Sequence, residues 1–446
     1  MSLRVLLFDM AQPHGIARLT IACALVAACT LAPAQTPAGT VPGGPPVSPS
    51  ATSPQETVAV PTSRPSPTAA PPAVPFEVRW RIVDGGGAPS DAGSLRQSFM
   101  DGFPEAVRFG AGSVAVYEMS GWEEGNPNRG PMIWATSDLV SWRLAVPLEP
   151  LGHNVQARHV VAGGPGVVVL GGEGTDEIQP ILWLSADAAS WTRVTHVPDI
   201  SFIWGAPGVL VGFGRETWTS TDGRSWTPAG PSPLSTAPSP RVWRALIVDD
   251  GDGAVVFVRT SFHAVTTVHR LDSAGTWQHL SDLPGMVERA VRGPHGFVAL
   301  GWTLDDIGEP MAWVSPDGAA WTEVTEPPTD VRTLAATSFG YVATGARSYF
   351  QGCAGGDESA QVAQTWTSAD GIGWRHLPED PNLDHAALSI LLPDGEGLLA
   401  IGNLWTPGPS SGDGEETARE ATWRSEVTME QPEPTVLPTG GGCGSG

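Results

Sequence analysis

Three tryptophans stand just ahead of carboxylates in segments that otherwise differ from one another. Trp122 precedes Glu123 and Glu124, Trp302 precedes Asp305 and Asp306, and Trp405 precedes Asp413, Glu415 and Glu416. An indole face stacks on a sugar ring or a cation, and a nearby carboxylate accepts hydrogen bonds from hydroxyls or holds a positive charge. On loops, such pairs suit a polar, hydroxyl-rich or cationic ligand. The competing reading is that the indoles cap apolar layers while the acids keep the loops hydrated. Trp122, Glu123, Glu124, Trp302, Asp305, Asp306 and Trp405 are therefore the expected ligand-binding set.

A second group of acids recurs with fixed spacing. Asp138, Asp187, Asp222, Asp317 and Asp370 each follow a Ser or Thr by two residues and lie between two tryptophans eight apart, as in Trp183/Ser185/Asp187/Trp191. A turn-forming Asp repeated this regularly explains itself by accepting backbone N–H groups. Its expected role is structural, with the tryptophans as core. Between Trp218 and Trp313 a fourth copy has decayed, leaving Trp277 in register with His269.

Other chemistries lack their parts. The ten His have no ligand spacing, so neither a metal nor a cofactor is expected. Asp249-Asp-Gly-Asp252 lacks the twelve-residue calcium pattern and reads as an acidic hairpin. No phosphate loop, nucleophile elbow or redox pair is found.

The elements that carry these residues repeat. A Gly followed by mostly apolar residues occurs at Gly112, Gly166, Gly208, Gly253, Gly296, Gly340 and Gly397, 42 to 57 residues apart. Apolar residues precede each Gly, which reads as a strand, a tight turn and a second buried strand. The segments flanking each Asp turn alternate and read as strands three and four. In the seventh copy Ala421–Ser425 supplies a third strand with no fourth after it. The missing strand is Val78–Val83, around Trp80, at the other end of the chain. The expected fold is all-β, a seven-bladed propeller at 76–430 closed by this N-terminal strand.

The Ser-x-Asp-(Gly)-x-x-Trp element resembles the Asp-box (BNR) repeat of the sialidase-like propeller superfamily, over roughly residues 76–430. Its spacing is one residue shorter than the usual form. Kelch and WD40 propellers are poorer matches. The resemblance implies that the Asp turns face away from the central pocket, and it offers a sialidase-type glycoside hydrolase as one function. That enzyme needs an arginine triad, an acid–base Asp and a Tyr activated by Glu. The only tyrosines are Tyr117 and Tyr341, in second strands, and Tyr349, in a loop. Arg79 and Arg81 fall in the outermost strand. No catalytic residue is assigned, and clustered arginine in the central channel is the observation that would favour the enzyme.

Ahead of the propeller, residues 1–28 carry Arg4, Arg18 and an apolar run from Leu19 to Ala28, too short to span a bilayer. Val26-Ala-Ala-Cys29 resembles a lipobox, which would make Cys29 the lipidated N-terminus. Cleavage after Ala34 is the alternative. Residues 29–75 are Pro, Thr, Ser and Ala, read as a disordered tether, and 431–446 as a Gly-rich tail. Cys353 and Cys443 would share an oxidising compartment, where pairing is the simplest outcome and two free thiols the other.

The formal charge of −23 would repel phosphate backbones, which excludes nucleic acid as the expected partner. The leading expectation is an exported, monomeric cell-surface lipoprotein, held to the membrane by its lipid alone. It would bind a protein or glycan through the loops between strands two and three. A sialidase-type hydrolase and an extracytoplasmic assembly or scaffolding factor are the alternatives.

Overall fold

Each hairpin glycine nucleates the same unit. In a computed structural model, seven four-stranded antiparallel sheets follow one another around a ring. The structure describes residues 74–83, 105–117, 132–139, 141–145, 155–174, 178–236, 242–260, 265–304, 308–350, 359–406 and 417–429. The expected signal peptide with Cys29, the tether through residue 73, the tail and both Cys353 and Cys443 lie outside them.

The innermost strands of blades 1 to 7 are Glu105–Phe109, Val155–Gly163, Phe202–Ala206, Val242–Asp249, Met286–Gly293, Val331–Thr337 and Ala386–Asp394. Six blades run from inside to outside in sequence order. Blade 7 takes its outermost strand, Glu77–Ile82, from the other end of the chain, paired with Thr417–Thr428. The seven-bladed propeller and its N-terminal closing strand are thus as the repeat predicted. Tyr349, expected in a loop, instead extends the second strand of blade 6, Gly340–Phe350.

Neighbouring blades share their cores. Each apolar cluster takes side chains from two adjacent blades, and the clusters close the circle, with Ile390 and Leu399 of blade 7 packing beside Ala115 and Trp134 of blade 1. The third-strand tryptophans do most of this joining. Trp183 packs toward blade 1, Trp313 toward blade 4 and Trp366 toward blade 5.

The Asp turns are local fasteners. The Asp222 carboxylate accepts from the backbone N–H groups of Arg224 and Ser225, both at 2.8 Å, while Ser220 Oγ donates to it and accepts from Gly223 N. Those donors, the Ser225 N–H first, hold Asp222 down at about 2. Gly223 sits at φ +69°, the left-handed place that Leu139 and Ala188 take in the first two turns. Asp138, Asp187, Asp317 and Asp370 make equivalent turns. The decayed fourth copy keeps one too: Asp272 accepts from Ala274 N and Thr276 N, over a shorter loop.

Blade 4 differs where His269 replaces the joining tryptophan. Trp277, one strand further out, packs toward blade 3 instead and donates its Nε1–H to Thr217 Oγ1 at 2.7 Å. His269 is buried and faces the His279 ring at 5.2 Å. Burial, reinforced by His279, pushes it down to about 4. The unfolded chain would protonate it near 6.5, so His269 adds stability fully present above that value and lost as pH falls toward 4. Denaturant midpoints should therefore drop between pH 7 and pH 5, and less so in His269→Phe. An equal drop in both proteins would exclude His269 as the cause.

Candidate functional site

Strand direction fixes which face is which. The hairpins between strands one and two and the Asp turns share one end of the ring. The loops between strands two and three, and the start of each innermost strand, share the other, here called the loop face. The expected ligand residues belong to this face, and the structure brings only part of them into view. Trp302 ends the second strand of blade 5, paired with Met286 and Pro310, and is half-buried. Trp405 lies in the second strand of blade 7, two blades away. Trp122, Glu123, Glu124, Asp305 and Asp306 lie outside the described residues.

The same face carries exposed apolar side chains on blades 4 and 5. Leu304 and Val265 are exposed, and Val265 pairs with Pro284 on the blade 4 side of the same edge. The approach is close: a Cβ on Gly301 would lie 1.9 Å from the Met286 carbonyl oxygen, and one on Gly285 2.7 Å from that of Trp302. The first of these is a contact within blade 5, between its first two strands, while Gly285 lies on the link from blade 4 to blade 5.

The second feature is the central channel, a cavity of about 500 Å³ lined by the innermost strands. Four of these strands carry a β-bulge at the same rung, between Ala157 and His159, Val287 and Arg289, Val331 and Thr333, and Leu388 and Ile390. Blade 4 has one rung-pair further out, between Val242 and Arg244. A bulge adds a residue and re-aims its neighbours, so polar side chains gather near the start of strands that are otherwise apolar.

Two groups result. Glu105 and His159 occupy equivalent rungs of blades 1 and 2 and meet at 2.9 Å, Oε1 to Nδ1, while Val160 N donates to the other carboxylate oxygen. Across the channel Glu288, a bulge residue, accepts from Arg244 Nη1 and Arg259 Nη1, each at 2.5 Å. Arg289 donates to the carbonyls of Arg332 and Glu288. Burial pushes Arg289 down to about 10, and the Arg244 charge adds to it. Arg244 is lowered as well, by burial, against the pull of Glu288.

Sequence reasoning missed this cluster. Its signal was present as charge within apolar first strands, as at Val287-Glu-Arg289, but no periodicity announces a bulge. Among the described residues no group of three or more His, Cys, Asp or Glu stands together to hold a metal. Arg79 and Arg81 lie in the outermost strand, away from the channel, as expected. Tyr341 is buried and donates to the Gly296 carbonyl at the hairpin end, with its hydroxyl pushed up to about 12 by burial.

No family model matches the chain, and no curated protein does. Among solved structures it is similar to a Lactobacillus plantarum protein determined as a structural genomics target, at 10% identity and a TM-score of 0.39, over 73% of this chain and 99% of that one. It is also similar to a structure from a study of two prolyl endopeptidases and their inter-domain dynamics, at 12% identity and a TM-score of 0.40. That match covers 78% of this chain and about half, 53%, of the endopeptidase chain. At these values neither likeness carries a function across.

Proposed function

We propose that this propeller is a non-enzymatic binding module of an exported, lipid-anchored protein, taking a protein or glycan partner on its loop face. The observation that carries the reading is the loop face of blades 4 and 5, which carries exposed Val265 and Leu304 and half-buried Trp302. Apolar side chains that form a contiguous exposed patch on a rigid scaffold mark an interaction site. In the sequence, Glu123 and Glu124 follow Trp122 and Asp305 and Asp306 follow Trp302, and carboxylates accept hydrogen bonds from hydroxyls.

The test is a glycan array read with the full-length chain and with a Trp122→Ala, Trp302→Ala, Trp405→Ala variant. Signal that disappears in the variant supports the site, and an unchanged signal rejects it.

A second reading, a sialidase-type hydrolase, is favoured by one observation: Arg244 and Arg289 line the channel, with Arg259 sharing Glu288 with Arg244 beside it. Against it, Glu288 already pairs with two of them, and Tyr341 is locked at the far end of its strand. In the same preparation a fluorogenic sialoside should remain intact; turnover would favour the hydrolase.

A further inference from the structure

Every blade ends outward in a sheet edge. An uncovered edge offers unpaired N–H and C=O groups to any extended chain, and proteins blunt it with Pro, charge or a bulge. The longer outer strands follow that rule. Thr227–Pro231 of blade 3 carries Pro228 and Pro231 and pairs across a bulge. Trp277–Pro284 of blade 4 has a bulge, Asp282 and Pro284. Glu77–Ile82 of blade 7 carries Arg79 and Arg81.

Elsewhere the outer strand is so short that part of the third strand is left uncovered beside it. In blade 1 that part is Met132 alone. In blade 2 it is Gln179–Ile181, which holds Pro180, and in blade 5 it begins at Pro310. In blade 7 the closing strand leaves Thr417–Ala421 uncovered, with Arg419 and Glu420. Blade 6 breaks the rule. Its third strand, Ser359–Ser368, meets its outer strand at Trp366 and Thr367, and Leu377 N donates to the Thr365 carbonyl at 2.8 Å. Among the described residues nothing pairs with the outer side of Ser359–Gln364. This stretch has no Pro, no charged residue and no bulge in its ladder with Gly340–Phe350. It stands at the loop-face end of the blade. The Leu377 bond shows that Thr365 turns its backbone groups outward, and alternation along the strand turns those of Ala363 and Gln361 the same way.

We propose that the Ser359–Gln364 edge takes an extended peptide segment of another protein as an added strand, the segment being uncharged in its middle and basic at its ends. Main-chain hydrogen bonds to Gln361 and Ala363 supply the contact, as in other strand additions. The chain's charge of −23 draws basic ends and repels acidic ones. The same charge sets two copies of this chain against each other, so a foreign segment fits the edge better than a second copy does. This goes beyond the patch on blades 4 and 5 and does not depend on it.

Fluorescence anisotropy of the full-length chain with a labelled peptide of alternating Thr and Val, Arg at both ends, tests this. The peptide should bind. The same peptide with every Thr and Val amide N-methylated keeps the charge but loses its donors, and should bind about tenfold more weakly or worse. Asp in place of the terminal Arg should weaken it as much. Gln361→Pro removes one outward N–H and is compatible with an edge, so it should cost about tenfold, while Trp302→Ala costs nothing. Equal binding of the methylated peptide would overturn the proposal. So would preference for the Asp-ended peptide, no binding at millimolar concentration, or full affinity in Gln361→Pro. Sedimentation velocity of the chain alone should show a single monomeric species; self-association that Gln361→Pro abolishes would give the edge to a second copy instead. Should Gln361→Pro fail to melt cooperatively, the two peptides compared in the unaltered protein still decide.

Discussion

Trp80→Ala should lower the unfolding free energy by about 3–5 kcal/mol, the range for deleting a large aromatic from a packed core. Trp80 lies in an outermost strand, where side chains usually meet water, yet it is only 2% exposed. The short turn at Pro381–Leu383 covers it: Asp380 accepts from Trp80 N at 2.8 Å, and Asn382 donates to the Trp80 carbonyl at 2.9 Å. The indole N–H reaches Thr365 Oγ1 of blade 6 at 3.1 Å. Phe76, Val78 and Trp80 thus insert between blades 6 and 7, in one cluster with Leu383, Leu388 and Trp423. Six consecutive backbone pairs, Glu77–Thr428 through Ile82–Trp423, depend on the strand staying in place. Without it the Thr417–Thr428 edge would stand unpaired, open to other chains. The control is Trp226→Ala, at an outer strand of blade 3 that closes nothing. Urea unfolding should show the Trp80 variant losing clearly more than the control. A loss equal to the control's, or under about 1 kcal/mol, would mean that ring closure does not depend on this anchor.

That strand was legible in the sequence because blade 7 visibly lacked a fourth strand and Val78–Val83 matched the pattern. The seven hairpin glycines, the Asp turns and the inter-blade role of the tryptophans were legible for the same reason. A repeat states its own geometry seven times, so one decayed copy, as at His269, still falls into register. The turn at Asp272 escaped notice because its loop is shorter than the others, which broke the spacing without removing the chemistry.

The channel was not legible, and the reason is physical. Pattern reading assigns a strand's side chains by alternation, and a bulge breaks alternation at one residue without changing composition. Glu288 and Arg289, consecutive in sequence, would point to opposite faces of a regular strand. The bulge between Val287 and Arg289 lets Glu288 reach Arg244 and Arg259 while Arg289 still lines the cavity. Bulges follow from twist and from the closure of the ring, which no local window contains. Trp122 and Trp302 stand out in the sequence because the segments around them differ from blade to blade.

Glu288→Ala should cost about 3–5 kcal/mol, as expected when one partner of a buried ionic group is removed and the others stay. Its side chain is 12% exposed, and Arg244 and Arg259 are 22% and 17% exposed, so all three are largely withdrawn from water. With the carboxylate gone, the Arg244 and Arg259 guanidiniums lose the acceptor they share and repel each other beside Arg289. Glu288→Gln should cost less, because an amide oxygen still accepts a hydrogen bond while the charge is lost. Replacing the whole group, Arg244→Met with Arg259→Met and Glu288→Leu, should return close to the starting stability, since desolvation then has nothing to penalise. Urea midpoints for the single and triple variants are the measurement, repeated in added salt, which should recover part of the single-variant loss by screening the two arginines. If Glu288→Ala instead unfolds no more easily than the unaltered chain, the three-residue cluster is not what holds the mouth of the channel in shape.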